Sequence, residues 1–127
     1  MKKDFRYICF ESLFESNLIT DELILIENDL SENQSLRAKQ LSKQITDNIE
    51  TIKNLITKYS ENWTYERIGK SEKTSLLLGI GELQLKLSPN KVIISEWTKL
   101  TDIHSSSDGA KFVNAILDKI SKNEFID

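Results

Sequence analysis

The sequence predicts an all-helical protein. One proline and four glycines in 127 residues leave few of the turns that a sheet requires. Leu, Ile, Lys, Glu, Ser and Asn dominate the composition, and apolar residues recur at intervals of three to five rather than two along most of the chain. The length suits one domain with a proper core and is too short for two comfortable ones.

Taken in order, residues 3–16 form an amphipathic first helix whose apolar arc is Phe5, Ile8, Cys9, Leu13 and Phe14. Its entry carries Lys2, Lys3 and Arg6, cations at the wrong end of a helix dipole. They are either ordinary solvated surface or the mark of a ligand that brings negative charge. Residues 18–30 alternate apolar and acidic side chains and predict a short second helix capped at Thr20 or Asp21. Ser31 to Gln34 matches the S-x-x-Q capping box and opens the longest helix, with Leu36, Leu41, Ile45, Ile49, Ile52, Ile56 and Tyr59 along one stripe.

Residues 60–70, with Asn62, Trp63, Tyr65, Arg67 and Gly69, read as a turn containing a brief helix. They lead into a central helix in which Ser71 is a plausible N-cap, Glu72 suits the positive end of the dipole, and Leu76, Leu77, Ile80, Leu83 and Leu87 repeat at helical spacing. Gly79 and Gly81 each cost such a helix about 1 kcal/mol relative to alanine, so they predict neighbouring helices too close for a Cβ. Ser88-Pro89-Asn90 ends the pattern. Val92, Ile93, Trp97, Leu100 and Ile103 then define a helix with Glu96, Lys99 and Asp102 facing water. The polar loop 104–108 precedes a last helix built on Phe112, Val113, Ile116, Leu117 and Ile120, and the tail from Ser121 is expected to fray. That loop, with free backbone N–H groups, hydroxyls and Lys111, could hold a phosphate; Asp108 is equally well placed as a plain N-cap.

Chemistry is sparse. His104 is the single histidine and has no nucleophile or supporting carboxylate at a suggestive spacing. No phosphate-loop motif occurs, and Gly79-Ile80-Gly81 lacks the preceding strand and third glycine of a dinucleotide site. Cys9 stands alone in an apolar context, which leaves no disulfide or zinc cluster to assemble. The expectation is no enzyme, no cofactor, no metal and no small-molecule substrate. The start of the chain does not read as a signal peptide and no run is long and apolar enough for a membrane span, so a cytoplasmic protein is expected. A net charge of −3, with eight cations against ten acids over residues 1–60 and nine against ten over 61–127, restricts any RNA contact to a local patch.

The segments ERIGKSEKTSLLLGIGEL, KVIISEWTKL and SSSDGAKFVNAILDKI, in that order and spacing, resemble the NusB family of bacterial transcription antitermination factors; RYICFESLF is a weaker match. The resemblance implies a single domain over residues 1–127, a compact bundle of about seven helices in two lobes, about 1–60 and 61–122. It implies a non-catalytic factor that binds the boxA element of nascent single-stranded RNA together with NusE, a small-subunit ribosomal protein, within an RNA polymerase antitermination complex acting on ribosomal RNA operons. Carried over by motif, the RNA surface would comprise Lys2, Lys3, Arg6, Asp108, Lys111 and Phe112, and the partner surface Phe14, Glu66, Arg67 and Glu72. Phe112 also fits the core by spacing, Glu72 also fits a plain first-turn acid, and Arg67 departs from the family pattern. The family's start is usually arginine-rich, whereas this one has two lysines, one arginine and Asp4, which predicts weak RNA binding without NusE. Two alternatives share the helical reading: an interaction module with no RNA role, and the NusB-like domain of an rRNA methyltransferase, which would require a further cofactor-binding domain.

Overall fold

A computed structural model describes residues 4–16, 30–61 and 63–126; Lys2, Lys3 and all but the last residue of the helix expected over 18–30 lie outside these. Five α-helices and one 3-10 turn occur among the described residues: α1 (Phe5–Ser16), α2 (Glu32–Tyr59), the turn Tyr65–Arg67, α3 (Lys70–Leu85), α4 (Asn90–His104) and α5 (Ser107–Glu124). The all-helical expectation holds, but about seven helices was too many for what is described. The long apolar stripe runs through α2 as two helical stretches joined at a kink, where Asn48 leaves helical geometry (φ −128°, ψ 22°), and residues 65–67 close only a single turn.

Caps explain several boundaries. Asp4 accepts the Tyr7 N–H at 3.0 Å and so caps α1. Ser31 accepts the Gln34 N–H at 3.2 Å, as a capping box requires, but the Gln34 side chain does not return the bond. It accepts the Phe5 N–H at 2.8 Å instead, fastening the start of α1 to α2. Gly69, not Ser71, is the N-cap of α3; Ser71 lies inside the helix and donates to the His104 carbonyl at 3.3 Å. Ser106, not Asp108, caps α5 through the Gly109 N–H at 3.0 Å.

Helix α3 packs against all four other helices, which is why it is buried almost all round from Thr74 to Leu83. The two internal glycines make this possible. A Cβ on Gly79 would stand 2.9 Å from Leu117 Cδ1 of α5, and one on Gly81 would land on Ile45 Cδ1 of α2. Around α3 the core gathers Phe5, Phe10, Leu41, Ile52, Ile56, Trp97, Val113 and Ile120. Leu36, Val92 and Ile103 belong to the expected stripes but are exposed, since each projects away from the buried face of its helix. The tail does not fray at Ser121: α5 runs to Glu124, and the Phe125 carbonyl accepts bonds from Lys86 Nζ at 3.1 Å and Asn90 Nδ2 at 2.8 Å.

Candidate nucleic-acid interface

The first basic residue to be placed is Arg6, and it is not on the surface. It is only 7 % exposed, and its guanidinium grips the fully buried Glu82 with two bonds, Nε to Oε1 at 2.8 Å and Nη2 to Oε2 at 2.7 Å. Trp97 Nε1 donates to the same Oε1 at 2.9 Å, so one carboxylate joins α1, α3 and α4. Burial opposes the charge on Arg6, but the bonds to Glu82 and its attraction outweigh that and hold the guanidinium pKa above its ordinary value. Arg6 therefore serves as an internal tie, a correction to its expected place among the phosphate contacts.

The other expected residues converge better. A cavity of about 300 Å³ opens between the starts of α3 and α5, lined by Trp63, Ile68, Gly69, Glu72, Ser105, Ser106, Asp108, Gly109 and Phe112. Residues read as RNA contacts (Asp108, Phe112) and one read as a partner contact (Glu72) thus share one hollow. Phe112 is half-buried and meets the Trp63 ring edge-on, centroids 6.2 Å apart at 66°. Trp63 is 51 % exposed, so the hollow has an aromatic wall open to solvent. On the polar side, Ser105 Oγ donates to Glu72 Oε1. Gly109 lets that carboxylate in, because a Cβ there would strike it. Lys111 is exposed on the first turns of α5.

Phe14 is half-buried, stacked on Phe10 at 5.7 Å and covered by Lys70 Nζ at 4.6 Å. Glu66 and Arg67 are exposed in the 3-10 turn. Neither enters the hollow. His104 is packed on the Phe10 ring at 4.5 Å with Nδ1 2.9 Å from the Leu100 carbonyl. Among the described residues no group of acids, histidine and cysteine is arranged to hold a metal, and no helix is long and apolar enough to cross a membrane.

Comparison with known proteins decides the family. The NusB family model matches residues 5–122. The chain belongs to the NusB family. The transcription antitermination protein NusB of Helicobacter pylori (strain Shi470) is 33% identical over 99 residues, 78% of this chain and 72% of that one. Its counterpart in Fusobacterium nucleatum is 35% identical over 105 residues, 83% and 67% of the two chains. Among solved structures, T. maritima NusB superposes with a TM-score of 0.88 over 99% of this chain and 96% of that chain at 24% identity, which establishes a shared fold. A chain from a crystal structure of a plectonemic RNA supercoil matches with a TM-score of 0.81 at 25% identity over 93% and 91% of the two chains. The resemblance drawn from the three motif segments is thus correct, and with it the assignment to transcription antitermination proteins.

Sequence reading of this NusB-family chain missed Trp63 and Ser105 as cavity residues. Trp63 had a signal, an aromatic in a polar lead-in with no place in an apolar stripe. Ser105 had none beyond the run of serines.

Proposed function

We propose that this protein acts in transcription antitermination by holding boxA-type nascent RNA jointly with NusE, in the cytoplasm and with a role in ribosomal RNA operons. The observation that carries this reading is the hollow between the starts of α3 and α5, where Glu72 and Asp108 meet Trp63 and Phe112 across 36 positions of sequence between the acids. An open aromatic wall can stack an unpaired base, and the serine hydroxyls, Glu72 and Asp108 offer bonds to base edges. Lys111 neutralises a phosphate beside it, and Lys2 and Lys3 are further phosphate contacts in this reading. Arg6 contributes by fixing α1 rather than by touching RNA. The protein partner takes the exposed 3-10 turn with Glu66 and Arg67, the nearby Phe14 and the rim at Glu72. The two lobes, 1–60 and 61–122, then correspond to the α1–α2 side and the α3–α5 side of one body.

The hollow offers two acids and few cations, so RNA binding by the protein alone is expected to be weak and to strengthen with NusE. Co-purification with NusE followed by a gel shift on boxA RNA and a scrambled control tests the reading. Expected is a boxA-selective ternary complex that Phe112→Ala and Trp63→Ala each weaken about tenfold, in line with 1–3 kcal/mol per stacked base. A complex with NusE that ignores RNA would favour the interaction module, for which the acidic rim is the supporting observation.

A further inference from the structure

Glu72 belongs to both surfaces of the proposed assembly. It lines the hollow, and it stands in the first turn of α3, which follows the 3-10 turn given to the protein partner. Its carboxylate is wedged between two helix starts. Oε1 accepts the Ser105 hydroxyl, a Cβ on Gly109 of α5 would meet that same oxygen, and a Cβ on Gly69, the N-cap of α3, would meet Oε2. A carboxylate fenced on both oxygens keeps its charge at one point.

That charge has no cation beside it. Glu72 makes no ion pair among the described residues, and neither does Asp108, the second acid of the hollow. The lysines nearest to Glu72 in sequence are engaged elsewhere. Lys70 covers the Phe14 ring at 4.6 Å, while Lys73 lies over Tyr65 at 4.8 Å and donates to the Glu66 carbonyl at 3.4 Å. The cavity walls carry two acids and, among the described residues, no lysine or arginine. The positive ends of α3 and α5 offset part of this negative charge. RNA brings more of it, so the acids oppose a phosphate backbone even while their oxygens accept from base edges. A partner that lays a cation against Glu72 removes the opposition and leaves the acceptor in place.

We infer that Glu72 couples the two ligands: its uncompensated charge holds RNA affinity down, and a lysine or arginine of the protein partner, paired with it, releases that restraint. The inference rests on the joint reading above and supplies a physical cause for the gain in RNA affinity expected with NusE. Such coupling is reciprocal, so RNA raises the affinity for NusE by the same factor.

Glu72→Gln keeps the shape of the side chain and an oxygen that accepts from Ser105, but deletes the charge, and so imitates the paired state. Fluorescence anisotropy with boxA RNA at low salt, where such charges are little screened, compares it with the unsubstituted protein, alone and with saturating NusE. The variant alone should bind RNA about fivefold tighter, at the low end of ordinary coupling, and the gain that NusE brings should shrink by the same factor. Calorimetric titration of NusE with and without RNA should show the reciprocal loss. Asp47→Asn removes an equal charge one turn from Gln44, whose side chain bonds Gln84 at the far end of α3 at 2.9 Å, and should change neither quantity. Thermal melts of both variants report that the fold is kept. Unchanged RNA affinity in Glu72→Gln, or tighter binding with the NusE gain undiminished, would overturn the coupling and leave the hollow as an RNA site. Weaker RNA binding by that variant would also overturn it, because the charge would then be an RNA contact. Failure of the unsubstituted protein to bind boxA RNA with NusE present would instead remove the RNA reading itself, and the coupling with it.

Discussion

Glu82 has the largest predicted consequence of any single side chain. It is fully buried, binds Arg6 twice and takes the Trp97 N–H, so removing its charge leaves the buried guanidinium with only the looser Asp4 carboxylate, 3.8 Å away, as a paired charge. Glu82→Gln should cost about 3–5 kcal/mol in urea unfolding. Adding Arg6→Met should recover much of that loss, because the stranded charge goes while the glutamine carbonyl still accepts from Trp97; additive losses would refute the account. Cys9 makes a second residue-scale prediction. Burial, then the nearby charges of Glu82 and Asp4, pushes its thiol pKa up from the ordinary 9.0, and Sγ rests 3.7 Å from the Ala38 carbonyl. The folded thiol should ignore a disulfide reagent at pH 8 and react once on unfolding. Because the folded pKa is raised, the stability linked to Cys9 is complete below pH 9.0 and declines above it, as the unfolded thiol ionises first. The decline should reach at most about 1.4 kcal/mol per pH unit and be absent from Cys9→Ala.

At the scale of elements, α3 is the organising helix because small residues let its neighbours close in. Gly81→Ala would drive a methyl group into Ile45 Cδ1 and should destabilise by about 1–3 kcal/mol despite the better helix propensity of alanine. Ile45→Val removes the obstructing Cδ1, so the double variant should melt above Gly81→Ala alone. The glycines were legible as a sign of close approach; which helices approach was not, since that depends on how α2 and α5 lie across α3. Helix α5 offers a simpler test. Its N-cap Ser106 satisfies the Gly109 N–H, and Ser106→Ala should cost about 1 kcal/mol in thermal melts. The sequence offered Asp108 as the cap because both residue types fill that role. The choice falls to the backbone of the 104–106 loop, where Ser105 turns toward Glu72.

Across the whole molecule, the helical stripes of α2, α4 and α5 were readable because burial imposes a 3.6-residue period on any helix with one face inward. Motif order was readable too, and led to the family. Arg6 was misread because a cation near a chain start normally stays in water; only the fold brings a buried carboxylate to it from 76 positions away. The hollow itself joins residues 63, 72 and 112. Lys53 of α2 and Lys73 of α3 likewise meet over the Tyr65 ring. By itself the sequence determined an all-helical, apolar-cored chain of the NusB family, because periodicity and motif spacing are local properties. Tertiary structure alone decided which charges are spent inside and which remain free at the surface, because pairing a charge depends on distance in space, and folding sets that distance.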